Sequence, residues 1–575
     1  MLELKPCPKG YTTDQDKTRP PAQTVAAVME RFAATGADIL AEVRQVDTGR
    51  LGIPVFLSIC GEDARRVMPT RKQMGKGASP DQARASALME LAERYSFFSY
   101  WAYEDRFQRL TWSQAEKRYG DALIPVQEIV ASVNDAAGPE EAREMLDLVR
   151  WRFAPALDLA RGREVHLPLD WFKKLNEFNG SSAGNSPEES ILQGLCELVE
   201  RHVCARIDLE RPTLPTIDPA TCTDPVLADL LAAFARNGIT VWLKDFTLGL
   251  PAPTVAALAF DPATFPARSE IVFTAGTASS PAKAAIRALT EVAQLAGDFE
   301  TGANYEASGL PKFTDPAQFA WLTAGATVPL ASLPGFERAD ILDELTHLAA
   351  GLRAAGFPAY AVDTTHPGLG VAANYNLVPG FAFRERSPRA SLGMFVGRIL
   401  AEECYPEEAR KGLDVIAEVY PDAPYLPFFA GLVALRDGDL DRAAALFAAS
   451  EHEQEDDEDR ALAAFYQAYA LTREELWAEA LPHLDRAVAL CPEVKEYFNL
   501  RGVAAFKQKN YAAAAKDFES ALDLDSGSAM DLANLGLCYK FLGDGTKALH
   551  CLGSALELDP SLDFARRHLK ELLGG

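Results

Sequence analysis

Two segments of the chain carry acidic and basic residues at the same repeated spacing. Each places a polar residue, two glutamates and an arginine at positions i, i+4, i+7 and i+8: Ser86, Glu90, Glu93 and Arg94, then Gln193, Glu197, Glu200 and Arg201. Residues three and four positions apart share one face of a helix, so each set forms a charged stripe. A third segment, Arg287–Gln294, repeats the first three offsets with a changed order of charge.

Clustered carboxylates repel one another unless a cation lies between them. Oxygen-rich sites suit Mg²⁺, which in proteins usually accompanies substrate phosphates, and arginines bind phosphate oxygens through paired N–H groups. The alternative is a set of surface helices with ordinary Glu–Arg ion pairs, which are common and contribute little stability. One such segment alone would favour that alternative. The repeated spacing favours a metal and phosphate site.

The residues around these stripes predict the elements that hold them. Leu88, Leu91, Leu195 and Leu198 are apolar and predict packed helices whose charged stripes face a cleft. Helical patterns cover 24–36, 80–102, 187–209, 281–298 and 339–355, and they alternate with strand-like stretches at Ile53–Ile59, Thr240–Leu243, Thr254–Phe260, Ile271–Thr274 and Ala359–Val362. The alternation predicts an α+β domain with helix-covered sheets over residues 1–395.

The C-terminal third contains an internal repeat. Small residues recur 34 positions apart, after a first interval of 37, as Gly431, Ala468, Gly502 and Gly536, and again as Ala443, Ala480, Ala514 and Ala548. The period resembles the tetratricopeptide repeat, a pair of antiparallel helices that small residues allow to approach closely. We expect a helical connector at 396–423, repeats over 424–575 and a capping helix at Phe564–Leu573. The acidic run Glu451–Asp459 is interpreted as a solvated turn.

The composition limits the class of protein. At 575 residues, 48% hydrophobic and 24% charged, the chain is long enough for more than one soluble domain. Its net charge of −25 argues against a general nucleic-acid or membrane-surface partner, which requires a basic face. Nine cysteines without a CxxC pair favour a reduced, cytoplasmic protein, and we expect neither a signal peptide nor a membrane-spanning segment.

Four shorter features complete the pattern. Gly75-Lys76-Gly77 is interpreted as a turn before a helix, and Asn179–Asn185 as a stretch of turn-forming residues before the helix that starts at Ser186-Pro187-Glu188. That helix start is an N-cap, an anion site formed by its amide groups, or both. Cys196 and His202 are interpreted as packing residues.

Together these motifs resemble the YcaO family. The resemblance rests on Gly75-Lys76-Gly77 with Ala83–Arg94, Asn179–Asn185 with Glu189 and Gln193–Arg201, and Arg287–Glu291; it extends over most of residues 17–385 and includes Asp363-Thr-Thr and Val378-Pro-Gly380. It implies an ATP- and Mg²⁺-dependent enzyme that phosphorylates the oxygen of a backbone amide. A nucleophile then displaces the phosphate and gives an azoline, a thioamide or an amidine. The sequence has no GxxxxGK[ST] loop, so the resemblance alone implies ATP binding.

The resemblance also implies roles for individual residues. The metal-site acids are Glu90, Glu93, Glu189, Glu197 and Glu200. The positions implied to contact nucleotide and phosphate are Lys17, Thr24, Ser86, Arg94, Asn185, Arg201, Arg287 and Glu291. Glu197, Glu200, Arg201 and Arg287 are implied to be catalytic, because they would neutralise and orient the transferred phosphoryl group.

The end of the sequence differs from that of azoline-forming YcaO proteins. Those commonly end in a proline-rich tail, whereas this sequence ends in Leu-Lys-Glu-Leu-Leu-Gly-Gly. Thioamidation, or support of ribosomal-protein methylthiolation, is therefore expected at least as much as cyclodehydration. Two functions stay open: an amide-activating enzyme whose repeats recruit a peptide or protein substrate or a partner protein, and a non-catalytic nucleotide-binding adaptor. The full set of carboxylates favours the enzyme, and homodimer formation is left open.

Overall fold

The computed structural model describes residues 2–46, 49–133, 135–269, 271–296, 313–384, 390–525 and 527–574. They form two compact units: the first comprises Met1–Pro139 and Arg150–Ala390, and the second Glu140–Val149 and Ser391–Gly575. The division at Ala390 lies a few residues before the expected boundary at 395. Glu140–Val149 was expected in the first domain but groups with the second, where Ala142, Met145 and Leu146 form the buried face of its helix.

Helices account for most of the regular structure. In chain order they are α1 (Pro21–Ala34), α2 (Glu62–Val67), α3 (Pro80–Tyr100), α4 (Trp112–Tyr119), α5 (Val126–Ala131), α6 (Pro139–Asp147), α7 (Leu169–Asn176), α8 (Pro187–Glu210), α9 (Pro225–Arg236), α10 (Pro281–Ala296), α11 (Ala320–Thr323), α12 (Ile341–Ala354), α13 (Leu392–Glu403), α14 (Pro406–Val419), α15 (Tyr425–Asp437), α16 (Leu440–Glu453), α17 (Asp457–Arg473), α18 (Trp477–Leu490), α19 (Lys495–Lys507), α20 (Tyr511–Leu524), α21 (Ala529–Leu542), α22 (Gly545–Leu558) and α23 (Asp563–Leu572).

The strands that the structure describes all lie in the first unit. They are β1 (Leu40–Val46), β2 (Val55–Cys60), β3 (Lys72–Lys76), β4 (Gln108–Leu110), β5 (Trp151–Asp158), β6 (Arg163–Pro168), β7 (Ser181–Gly184), β8 (Thr216–Ile217), β9 (Thr240–Asp245), β10 (Thr254–Phe260), β11 (Val272–Thr277), β12 (Thr327–Val328), β13 (Tyr360–Asp363) and β14 (Ala372–Leu377). Over the described part of the chain they form three sheets, ordered β1-β2-β3, β11-β10-β9-β8-β12, and β4-β5-β13-β14-β7 with β6 beside β5. Helices cover these sheets, so the α+β prediction is confirmed.

The predicted elements match the observed ones closely, with three corrections. Each predicted helix and strand is present with ends displaced by a few residues; positions 297 and 298 of the helix predicted at 281–298 lie outside the described residues. Gly75 and Lys76 belong to strand β3 rather than to a turn, and Ser181–Gly184 form strand β7 within a stretch expected to be turns. The acidic run Glu451–Asp459 is mostly helical, because only 454–456 separate α16 from α17.

The second unit is built from paired helices with small residues at their crossings. Ala443, Ala480, Ala514 and Ala548 are fully buried. A Cβ at Gly431 would press on the ring of Phe447, and one at Gly502 would press on the ring of Phe518. The capping helix is α23. None of the helices described here is both long and apolar enough to cross a membrane.

Candidate functional site

The three charged stripes face one cavity in the first unit. Its volume is about 260 Å³. It brings together every residue implied to bind metal or nucleotide: Lys17, Thr24, Ser86, Glu90, Glu93, Arg94, Asn185, Glu189, Glu197, Glu200, Arg201, Arg287 and Glu291. Behind the stripes Leu88, Leu91, Leu195 and Leu198 are fully buried, as predicted.

Helices α3, α8 and α10 supply the stripes, and each packs against a strand of a different sheet. The strands concerned are β3, β7 and β11. Each strand has a glycine beneath its helix, namely Gly75, Gly184 and Gly276, where a Cβ would overlap the helix backbone. Because strand and helix approach each other closely at each glycine, the residue that follows the glycine lies near the start of the helix. In this way Lys76 and Asn185 come to line the cavity, and Thr277 comes to bind Glu200.

Each of these helices begins with the dipeptide Ser-Pro. The serines are Ser79, Ser186 and Ser280, and each side chain accepts a hydrogen bond from the backbone N–H three residues later. Proline fits the first helical turn because it lacks the N–H that would be unpaired there. The expected N-cap at Ser186 is confirmed. In all three helices the residues 6, 10 and 13 positions after the proline line the cavity.

Four of the six glutamates in the cavity wall lie on α3 and α8 at the repeated spacing. Burial raises the pKa of Glu93 to about 8, with Arg94 opposing the shift and Glu197 and Glu90 adding to it. Burial likewise raises the pKa values of Glu90 and Glu200. Burial acts on Glu197 in the same direction, but Arg201 and Arg94 outweigh it and hold that pKa below its usual value. Without a cation, these carboxylates therefore do not all ionise readily at neutral pH.

Arginines pair with the glutamates in the cavity. Arg94 lies 3.2 Å from Glu93 and 3.7 Å from Glu90, and Arg201 Nε lies 3.0 Å from Glu197 Oε1. Among the described residues, no three acidic, histidine or cysteine side chains are grouped closely enough to hold a metal ion. Arg94 thus bridges two of the glutamates, and Arg201 neutralises a third.

Lys76 and Thr277 are site residues that the sequence interpretation missed. Lys76 pairs with Glu291, and burial together with Arg287 lowers its pKa to about 8. The backbone N–H of Thr277 donates to Glu200 Oε2 at 3.0 Å. The signal that could have found them is the glycine placed shortly before each Ser-Pro, since the residue after that glycine reaches the site each time.

Glu189 lies at another end of the cavity, held by residues from the N-terminal segment. Its Oε2 accepts hydrogen bonds from the backbone N–H and hydroxyl of Thr18, at 2.9 and 3.1 Å. Asn185 donates to it through both its backbone and side-chain nitrogens. Lys17 Nζ lies 3.7 Å away, and Thr24 donates to Asn185 Oδ1 at 3.0 Å. This end therefore combines one carboxylate with several donors.

A buried ion network behind Lys17 was likewise not predicted from the sequence. Asp16 accepts from Lys9 at 3.0 Å, from Lys283 at 2.7 Å and from the hydroxyl of Ser279 at 2.8 Å. Lys9 also donates to Glu344 Oε1 at 2.7 Å. Lys9 and Glu344 are 335 residues apart in the chain, so no local pattern links them. The network ties the N-terminal segment to α10 and α12.

Cys196 and His202 are packing residues, as interpreted. Burial raises the pKa of the Cys196 thiol to about 12, which keeps it protonated. His202 stacks on Phe381 with ring centroids 4.4 Å apart, and its Nδ1 accepts the backbone N–H of Ala382.

The cavity wall fits a divalent cation with a nucleotide. It contains six carboxylates and five cationic side chains, and its volume of about 260 Å³ is close to the lower end of small-molecule sites, roughly 300–1,000 Å³. The carboxylates of Glu90, Glu93, Glu197 and Glu200 are hard oxygen donors of the kind that Mg²⁺ prefers. Arg94, Arg201 and Arg287 carry N–H groups of the kind that bind phosphate oxygens. The donor types therefore suit both ligands, although the carboxylates are not grouped as a ready metal-ligand set.

Comparison with known proteins gives matches over both units. Residues 74–382 match the family model described as YcaO cyclodehydratase, ATP- and Mg²⁺-binding. Residues 430–495, 465–529 and 532–562 match tetratricopeptide-repeat models. The fold of a heterocyclase solved in complex with substrate and cofactor superposes with a TM-score of 0.53 at 20% identity, over 66% of this chain and 54% of that one.

Several relatives share part of the sequence. An uncharacterized protein of Methanothermobacter thermautotrophicus is 31% identical over 281 residues, 48% of this chain and 69% of the relative. An uncharacterized protein in the tfuA 3′ region of Rhizobium leguminosarum bv. trifolii is 27% identical over 68% of this chain and 94% of its own. The Escherichia coli ribosomal protein S12 methylthiotransferase accessory factor YcaO is 28% identical over 33% of this chain and 35% of its own. The chain thus belongs to the YcaO family of ATP- and Mg²⁺-binding proteins and carries a C-terminal array of tetratricopeptide repeats.

Proposed function

We propose that this protein uses ATP and Mg²⁺ to phosphorylate the oxygen of a peptide-bond amide, so that a nucleophile can attack the amide carbon. The observation that carries the proposal is the single cavity in which four glutamates face three arginines from three helices. Thioamidation, cyclodehydration and support of ribosomal-protein methylthiolation are the reactions of this class. The family's heterocyclase and S12-modification members support the class.

The chain's own residues would bind and orient the reactants. When bound, ATP supplies the phosphoryl group and Mg²⁺ neutralises its charge. Glu90, Glu93, Glu197 and Glu200 would hold the metal, and Arg201 and Arg287 would align phosphate oxygens through fixed N–H groups. Such a site acts mainly by positioning, since it requires no side-chain nucleophile.

Calorimetric titration with AMP-PNP, with and without Mg²⁺, tests the site. We expect Mg²⁺-dependent binding that Arg201→Met weakens by roughly 10- to 100-fold, the range for a hydrogen bond to a charged group. Arg206→Met is the matched control, because Arg206 lies on the same helix and pairs with the exposed Glu210. Suppose that Arg201→Met lowers the free energy of unfolding by as much as it lowers the free energy of binding, while the control changes neither. The arginine is then a structural ion-pair partner.

A second candidate function is recruitment of a protein partner by the repeats, with a nucleotide site that does not turn over. The observation in its favour is charge: residues 391–575 contain 33 acidic and 18 basic residues, which favours a basic partner. Combined Glu197→Gln and Glu200→Gln substitutions separate the two functions. An enzyme loses its activity with this variant, whereas an adaptor that depends on docking keeps it.

A further inference from the structure

The N-terminal part of the chain forms a hairpin that ends at the main cavity. We call residues 7–18 the N-terminal hairpin. The backbone N–H of Gly10 donates to the carbonyl oxygen of Lys17 at 2.9 Å, and a Cβ at Gly10 would overlap the carbonyl oxygen of Thr18. The two arms of the hairpin therefore lie in close contact. Its last two residues, Lys17 and Thr18, are the ones that contact Glu189 in the cavity wall.

The first arm of the hairpin is bound to the start of α12. The carbonyl oxygen of Cys7 accepts the N–H of Ile341, and the N–H of Cys7 donates to both carboxylate oxygens of Asp340, at 2.9 and 2.8 Å. The backbone N–H of Lys9 donates to the carbonyl oxygen of Ala339. These bonds hold the first arm in place. The second arm, which carries the residues that reach the cavity, is held by a different group.

Asp16 binds the second arm both to the first arm and to α10. Its Oδ2 accepts from Lys9 at 3.0 Å and from the hydroxyl of Ser279 at 2.8 Å, and its Oδ1 accepts from Lys283 at 2.7 Å. The side chains of Asp16, Lys9 and Lys283 are 7%, 4% and 8% exposed. Breaking one of these pairs would leave a buried charge without a partner, so the network strongly favours a single position of the arm. Asp16 thus fixes the backbone one residue before Lys17.

Asp16 acts on the main cavity from outside it. Asp16 does not line that cavity, whereas Lys17 does and lies 3.7 Å from Glu189. Lys283 precedes Arg287 by four positions on α10, so these two cations share one face of the helix. Arg287 also lines the main cavity. The bonds of Asp16 therefore connect the cation of the hairpin to the helix that carries a second cation of the cavity wall.

We propose that Asp16 is a positioning residue for the nucleotide site. By binding Lys9 and Lys283 it fixes the second arm of the hairpin, and the fixed arm keeps the ammonium group of Lys17 at the wall of the cavity. This inference rests on the proposed function and adds a residue that acts on the same site through Lys17. A cation that is already held in place binds an anion more tightly, because binding does not have to order it first.

A double-mutant cycle between Asp16 and Lys17 tests the inference, with calorimetric titration of AMP-PNP and Mg²⁺ as the measurement. Asp16→Asn keeps the shape of the side chain and should weaken binding by roughly tenfold, as should Lys17→Met. Because Asp16 acts through Lys17, we expect the double variant to bind no more weakly than Lys17→Met alone. Two independent contributions would instead multiply to a loss of roughly a hundredfold.

Hydrogen exchange of the ligand-free protein gives a second measurement that does not depend on nucleotide. Asp16→Asn should accelerate exchange of the backbone amides of Gly10 and Lys17, which are hydrogen-bonded within the hairpin, and should leave the amides of α3 unchanged. If Asp16→Asn does not fold, Ser279→Ala takes its place, because it removes a neutral donor to Asp16 and leaves every charge paired. Its smaller loss of affinity should likewise disappear when Lys17 is replaced by Met.

Glu337→Gln is the matched control. Glu337 pairs with Lys283 as Asp16 does, but its side chain is 46% exposed and lies outside the hairpin, so affinity and exchange should both stay unchanged. Losses that multiply in the double variant, unchanged affinity in a folded Asp16→Asn variant, or hairpin exchange that this variant does not accelerate would overturn the inference. Failure of the unmodified protein to bind AMP-PNP with Mg²⁺ refutes the proposed function, whereas intact binding with multiplied losses refutes the positioning role alone.

Discussion

Removing the Glu93 carboxyl group should change the number of protons released when the metal–nucleotide complex binds. The pKa of Glu93 is raised to about 8, against an ordinary value of 4.5. At pH 7 the group is therefore about 90% protonated, and ionising it costs about 1.4 kcal/mol. Since a metal ligand must be a carboxylate, we expect binding of Mg²⁺ with AMP-PNP to release about 0.9 proton from this group at pH 7 and about 0.2 at pH 8.5.

The assay is calorimetry in two buffers with different ionisation enthalpies. The difference in heat gives the protons released, and the contribution of the nucleotide cancels when Glu93→Gln is compared with the unmodified protein. Glu128→Gln is the control: burial raises the pKa of Glu128 as well, but this residue bonds to Tyr360 and does not line the cavity. The control should therefore release as many protons as the unmodified protein.

The raised pKa of Glu93 also determines how the stability of the fold changes with pH. Because the folded state holds the Glu93 proton up to about pH 8 and the unfolded state loses it near 4.5, this group stabilises the ligand-free protein at low pH. That contribution declines as the pH rises from 4.5 to 8. Equal proton release by Glu93→Gln and the unmodified protein, or release that does not fall between pH 7 and pH 8.5, would refute the assignment of Glu93 as a desolvated metal ligand.

Two further predictions concern Lys76 and the repeat crossings. Lys76→Met should weaken AMP-PNP binding by roughly tenfold in calorimetry, because a cation beside Glu291 and Arg287 is lost. If the affinity stays within twofold of that of the unmodified protein, Lys76 has a structural role alone. Gly502→Val should destabilise the second unit by about 1–3 kcal/mol in denaturant unfolding, because its side chain would collide with Phe518. Gly553→Ala, at an open helical position, should be neutral or stabilising, and equal loss in both variants would contradict the packing argument.

The helical parts of the site could be predicted because their information is local. In α3, α8 and α10 the period of charged and apolar residues fixes which side chains share a face, so the predicted stripes meet in one cavity. Strand β3 could not be predicted in the same way. A short stretch with Gly75 and Gly77 favours a turn by intrinsic preference, and only the packing of Gly75 beneath α3 selects the strand.

Long-range contacts set the remaining limit on prediction. The bond from Lys9 to Glu344 and that from Lys283 to Asp16 join segments hundreds of residues apart, and none of these residues lies in a repeated pattern. The grouping of Glu140–Val149 with the second unit is of the same kind, because its short apolar face does not specify which domain will bury it. Which distant segments contact each other depends on the assembled fold rather than on local spacing.

The Arg–Glu pairs in the cavity predict that metal and nucleotide would bind together. Arg94 and Arg201 now neutralise Glu90, Glu93 and Glu197, yet the same guanidinium groups are suited to phosphate oxygens. A cation alone would have to displace these arginines into an acidic cavity without anionic partners, and phosphates alone would leave the buried glutamates uncompensated. With both ligands present, the arginines would exchange carboxylates for phosphates, and the glutamates would be compensated by the metal charge. Each ligand would therefore remove the main electrostatic cost of binding the other, and we expect their affinities to rise reciprocally.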